Sequence, residues 1–147
     1  MYCSCGKNNT EISMQDVYLN IKIYFKAFKI DINDIEDFED IFTYHYKEVI
    51  NTIKNLCSIN VVPAELEYVV SRRILAKLLN FYIMTSGNEI DDNAIIDGVG
   101  FISIKEGDVE VKVNETLTPQ KLLNNFIRTA DNFGKNELAR FSSITSC

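Results

Sequence analysis

The chain has 147 residues, 46% of them hydrophobic and 24% charged, and carries a net charge of −6. That length is enough for one domain with a real core, and the acidic balance argues against a general nucleic-acid binder, which neutralises phosphates with clustered Lys and Arg. No apolar run approaches the roughly 20 residues needed to cross a bilayer, and Met1-Tyr2-Cys3-Ser4-Cys5-Gly6 lacks the charged and apolar regions of a signal peptide, so synthesis and use in the cytoplasm are expected.

Residues 1–12 are expected to form a flexible polar tail. Ser13 is a candidate N-cap with Asp16 three positions on. Val17, Ile21, Tyr24, Phe25 and Phe28 then recur at helical spacing. After a break at Ile30 to Asn33, Asp34 can cap a second helix whose Ile35, Phe38, Ile41, Phe42, His45, Val49, Ile53 and Leu56 share one face. Pro63 sits at or near the first position of a third helix. There Leu66, Val69, Val70, Ile74, Leu75, Leu78, Leu79, Phe81 and Tyr82 widen the apolar surface to almost the whole circumference, which places this helix at the centre of the domain or between subunits.

Thr85-Ser86-Gly87-Asn88 ends that helix, and residues 87–100 read as a polar loop around Ala94-Ile95-Ile96. A hairpin is expected over 101–113. Ile102 and Ile104 alternate with polar residues, Lys105-Glu106-Gly107-Asp108 supplies the turn, and Val109, Val111 and Val113 alternate with Glu110 and Lys112. A lone hairpin is marginal in water and must lean on helices or pair with something else. Thr118 caps a last helix with Pro119 at its first position, Leu122, Leu123, Phe126, Ile127 and Ala130 mark its buried face, and Gly134 closes it. The expected fold is therefore mainly α with one β-hairpin (α+β). It is a bundle of about four helices with the hairpin between the third and fourth, with 13–134 forming the helical domain and 135–147 a C-terminal tail.

Catalytic and metal chemistry find little support in the pattern. His45 is the single histidine, set between Ile41 and Val49, and reads as a core or interface residue rather than the base of a nucleophilic pair. Cys3 and Cys5 could begin a metal site, but no second pair follows, and with Cys57 and Cys147 they read more plainly as free thiols. The acids Asp34, Glu36, Asp37, Glu39 and Asp40 lack the spacing of a calcium loop and read as a solvated helix start. Asp91-Asp92-Asn93 and Asp97-Gly98 lack the bidentate glutamate such a loop needs, and Gly98-x-Gly100 lacks the third glycine of a dinucleotide site. Arg72-Arg73 reads either as two surface charges or as an ion-pair contact with an acidic neighbouring subunit. No enzyme activity and no cofactor or metal are expected.

Three stretches carry a resemblance. Val62-Pro63-Ala64-Glu65-Leu66-Glu67-Tyr68-Val69-Val70 resembles the Pro-x-Glu-Leu-Glu-x-Val-Val opening of the central helix in tailed-phage head–tail connector (adaptor, neck) proteins. Ser103-Ile104-Lys105-Glu106-Gly107-Asp108-Val109 is similar to the Ser-Ile-x-Glu-Gly-Asp-Thr hairpin of that family, especially its branch in PBSX-like prophages. Leu138-Ala139-Arg140-Phe141 is similar to a Leu-x-Arg-Phe/Tyr motif near the family's C-terminus. The three occur in the family's order over residues 13–141. The family often continues with arginines and a tryptophan where this chain has Ser142-Ser143-Ile144, and Val109 replaces the usual Thr.

The resemblance implies a virion protein that forms a homo-oligomeric ring below the portal at the neck. Such a ring extends the DNA channel and offers a docking surface to tail completion or terminator proteins. A ring of about twelve copies, matching a twelve-fold portal, uses head-to-tail contacts between two different surfaces of each subunit. It implies Leu138, Arg140 and Phe141 as portal-docking candidates, and Arg72, Arg73, Lys105, Glu106 and Asp108 as interface or channel candidates. The partners are further copies of the chain, the portal, tail proteins and DNA passing without sequence-specific contact, with no membrane. The expected location is the bacterial host cytoplasm during assembly, then the virion neck. The alternatives are a tail terminator, completion or collar protein of a contractile phage-tail-like particle, and, in a different class, a small cytoplasmic helical regulatory or adaptor protein.

Overall fold

The computed structural model describes residues 10–87, 89–106 and 118–142. Helix α1 spans Met14–Ala27 and α2 spans Phe38–Cys57. Next come α3 over Glu67–Ser86, α4 over Asp92–Glu106, α5 over Pro119–Thr129 and the short α6 over Lys135–Arg140. The described chain is an all-helical bundle of five main helices, with α6 as a sixth, one-turn-and-a-half piece. Among the described residues there is no β-strand or hairpin, and the one extended contact is a single antiparallel bridge between Glu11 and Pro63. No described helix is long and apolar enough to cross a membrane.

The helix starts follow local chemistry. Ser13 Oγ accepts from the Asp16 backbone N–H at 3.3 Å, and Thr118 Oγ1 accepts from the Lys121 N–H at 3.3 Å with Pro119 behind it. The second helix begins later than Asp34 suggested. Asp31 caps a turn of 3-10 helix over Ile32–Asp34, Glu36 and Asp37 follow in a turn, and α2 itself starts at Phe38. Pro63 likewise precedes a 3-10 turn, Ala64–Leu66, that runs directly into α3.

Helix α3 is the hub, packed against α1, α2 and α5; α4 rests on α1 and α5, and α6 on α2. Val69, Val70, Ile74, Leu75, Leu78 and Leu79 on α3 are all buried, as the near-continuous apolar run required. They meet Val17, Ile21, Phe25 and Phe28 from α1, Phe42, Val49 and Ile53 from α2, and Leu123 and Phe126 from α5 in one contiguous core. Asn20 ties α1 to α3 by donating to Glu67 Oε2 at 2.9 Å and to Ser71 Oγ at 3.2 Å. Thr10 to Ile12 run alongside 62–64. The Ala64 N–H donates to the Thr10 carbonyl at 2.7 Å, the Ile12 N–H to the Val62 carbonyl at 2.9 Å, and Ile12 is buried.

The largest departure from the sequence reading lies at 87–106. From Asp92 onward the expected loop, and the first strand of the expected hairpin after it, are one continuous helix, α4; Gly87 and 89–91 lie outside any helix. Asp91 starts it, accepting from the Asn93 N–H through Oδ1 at 2.7 Å and from the Ile95 N–H through its carbonyl at 2.9 Å. Ala94, Ile95, Val99 and Ile102 are buried at helical spacing against the bundle, while Ile104 is 84% exposed. Alternation of Ile102 and Ile104 with polar neighbours is thus a coincidence of composition. Tertiary burial of the 94/95/99/102 face overrides the glycines that suggested a loop. Gly98 belongs to that face: a Cβ there would lie 2.5 Å from Phe28 Cγ, so glycine is what lets α4 approach α1. The turn and second strand of the expected hairpin, 107–113, lie outside the described residues, as do Asn88, Cys3, Cys5, Ser143 to Cys147 and most of the expected N-terminal tail.

Candidate functional site

Two surfaces stand out among the described residues. The first is the outward side of α1. Val17, Ile21, Tyr24 and Phe25 face inward, which leaves Leu19, Lys22, Ile23 and Lys26 on the opposite face at i, i+3, i+4 and i+7. Leu19 is 46% exposed and Ile23 42%, large apolar side chains in water beside two ammonium groups. Lys29 continues the basic edge just past the helix, paired with Asp97 of α4 at 3.0 Å, and the Lys22 ammonium lies 5.5 Å from the Tyr18 ring centroid. With Ile30, Asp31, Ile32 and Asn33 this face borders a hollow of about 790 Å³.

The second is an open cleft of about 760 Å³ between the start of α2 and the end of α3. Half-buried Ile35, Ile41, Phe81 and Tyr82 form the apolar part of its lining, and exposed Asp34, Glu36, Asp37 and Asp40 form the charged part. Tyr44 and His45 close one side, ring to ring at 5.3 Å. His45 Nδ1 lies 3.2 Å from Glu48 Oε1, and Lys77 of α3 reaches the same oxygen at 3.4 Å. The hydrogen bond to His45 is the largest cause holding the Glu48 carboxyl below the ordinary carboxylate range, with Lys77 adding to it against a partial opposing effect of burial. Around the corner, burial first and then Glu39 push the Tyr18 phenol up.

Most of the residues singled out in the sequence lie elsewhere. Arg72 and Arg73 are not loose surface charges, and both are engaged within the chain. Arg73 is 4% exposed and donates twice to the Phe133 carbonyl, from Nε at 3.1 Å and a terminal nitrogen at 2.8 Å. The Arg72 guanidinium stacks over Phe133 at 4.1 Å and Phe126 at 5.2 Å from the ring centroids. Both fasten 126–133 onto α3, and burial lowers the Arg73 pKa. Their apolar neighbours Val69, Val70, Ile74 and Leu75 were the available signal.

Leu138 is buried in the core, and its carbonyl accepts from the Cys57 thiol at 3.4 Å. Phe141 is half-buried against the core and Arg140 is exposed. Lys105 is exposed near the end of α4, its ammonium 5.6 Å from the Phe101 ring and 5.8 Å from Tyr24. Glu106 is the last residue of α4, and Asp108 lies outside the described residues. Of these candidates, Arg72 and Arg73 come together at Phe133.

Among the described residues no group of three or more His, Cys, Asp or Glu side chains converges as a metal site would require. The thiol of Cys57 is buried, which pushes its pKa up and leaves it a poor nucleophile. What the sequence reading missed is the apolar component of the α1 face: Leu19 and Ile23 stand off the 17/21/24/25/28 stripe and were visible as such. Compared with protein-family models, with curated proteins and with solved structures, the chain matches none.

Proposed function

We propose that the chain is a structural, non-catalytic subunit that assembles into a ring at the head–tail junction of a tailed phage or prophage particle, below the portal. What carries the reading is the ordered set of motifs. Val62 to Val70 leads into the central helix α3, and Leu138 to Phe141 spans the end of α6 and the residue after it, the order that a helical connector plan asks for. The Ser103 to Val109 motif lends less support than its sequence suggested, because its first residues belong to α4. Oppositely charged surfaces on α1 and at the α2–α3 cleft suit the two unlike patches that a cyclic head-to-tail contact requires.

The helix that runs through Ile102 to Glu106, where the first strand of the hairpin was expected, favours a second reading, a small helical adaptor that binds a partner as a monomer. Imaging and native mass of the purified chain, alone and with its cognate portal, separate the two. A ring seated on the portal is expected; a monomer that ignores the portal would refute the neck reading. Arg140 is the docking residue to change, since it is exposed whereas Leu138 and Phe141 help hold the fold.

A further inference from the structure

We infer that copies of this chain contact one another by seating the outward face of α1 from one copy in the acidic α2–α3 cleft of the next. This names the subunit contact and rests on the ring reading only for how the contact closes. Leu19, Lys22, Ile23 and Lys26 alternate apolar and basic along a single helical face, the spacing with which an amphipathic helix enters a groove. Exposure of two large aliphatic side chains on that face is a cost that burial in a complementary surface removes.

The cleft offers the complement in both respects. Its apolar lining can take Leu19 and Ile23, and the carboxylates of Asp34 and Glu36 at its edge can meet Lys22 and Lys26. Lys29, Asp31 and Asp97 also border the α1 face; the Lys29–Asp97 pair cancels within the copy and Asp31 offsets part of the remaining charge, so Lys22 and Lys26 leave the face net positive. The two patches are different surfaces of one copy, so the contact is heterologous and propagates from copy to copy until it closes. A second copy is the occupant because the opposite charge and the matching apolar lining are both present on this chain.

The test is sedimentation velocity and native mass of the full chain at low and high salt, with the variants K22E/K26E and D34K/E36K. The changed positions are exposed and outside the core, and thermal melts by circular dichroism check that each variant folds. The wild type is expected to associate, and to do so about tenfold or more weakly when salt is raised from about 0.05 M to about 0.5 M. Each variant alone should stay monomeric. Their mixture should associate again, because every reversed face then meets a reversed cleft. A monomeric wild type, variants that associate like it, a mixture that stays monomeric, or a wild type that instead binds duplex DNA through Lys22 and Lys26 would each overturn the contact. Rings that persist in the variants would overturn this contact while leaving the neck reading standing. Salt-sensitive oligomers that ignore the portal would do the reverse.

Discussion

Replacing Gly98 and Gly100 by alanine, one at a time, probes the segment where sequence and structure part company. Both residues lie inside α4, so each substitution gains the same helix-propensity term, about 1 kcal/mol. They differ in what the new methyl meets. At Gly100 nothing lies within 4 Å, so Gly100→Ala should stabilise by about 0.5–1 kcal/mol. At Gly98 the methyl would sit 2.5–2.6 Å from three carbons of the Phe28 ring, which is fully buried and has nowhere to retreat. Overpacking of this kind costs about 1–3 kcal/mol. Because the helical gain is common to both, the stability difference between the two variants isolates the close approach of α4 to α1. It should fall at about 1–3 kcal/mol in favour of Gly100→Ala. Urea unfolding followed by circular dichroism measures it, provided the two variants share one m-value. Loss of stability in Gly100→Ala, or equal stability of the two variants, would refute a helix at 92–106 packed on Phe28.

Other consequences follow from the same contacts. Arg73→Leu keeps bulk in the core but removes both donors to the Phe133 carbonyl, so it should cost about 1–3 kcal/mol in urea unfolding, while Arg73→Lys should recover part of it. Glu48 has a folded pKa below its unfolded one, so its contribution to stability is present above the unfolded value and lost as pH falls through the folded one. The gap between wild type and Glu48→Gln should therefore narrow as pH falls from above the unfolded carboxylate value through the lower folded one, read from urea midpoints across pH. Cys57, buried and with a raised pKa, should escape alkylation at mildly basic pH in the folded chain and react once urea unfolds it, by mass-spectrometric site mapping. Arg140→Glu should weaken binding to the portal without lowering the melting temperature, since its side chain is exposed.

Where caps and periodicity agreed, the fold was legible. Ser13, Thr118 and Pro119 sit at helix starts because a short hydroxyl side chain or a fixed φ satisfies local backbone needs that no tertiary contact has to supply. The apolar run of α3 pointed to the centre of the domain or to a place between subunits, and its apolar residues are buried against α1, α2 and α5. Asp34 misled because any of several acids between Asp31 and Asp40 could cap a turn; the packing of Phe38 and Phe25, 5.4 Å between ring centroids, fixes where the helix begins. Segment 92–106 misled for a stronger reason. Its two glycines and two aspartates carry a loop signature, and Ile102 and Ile104 carry a strand signature, yet Ala94, Ile95, Val99 and Ile102 with Gly98 among them complete a helical face. A local pattern of six residues lost to a period sustained over nine.

The candidate site shows the same competition between local and long-range signals. Adjacent arginines suggested intermolecular charge, but a pair set among Val69, Val70, Ile74 and Leu75 cannot face water on both sides of a helix. One guanidinium is drawn to a backbone carbonyl and the other onto aromatic faces, where its delocalised charge is tolerated. Their positive charge is thus committed inside the subunit, holding 126–133 against α3. With that charge committed, Lys22 and Lys26 lie on the outward face of α1, flanked by the exposed Leu19 and Ile23. An acidic chain that sets aside one basic, partly apolar helix face has the means to recognise its own acidic surface, and recognition at that face is what assembly into a ring would need.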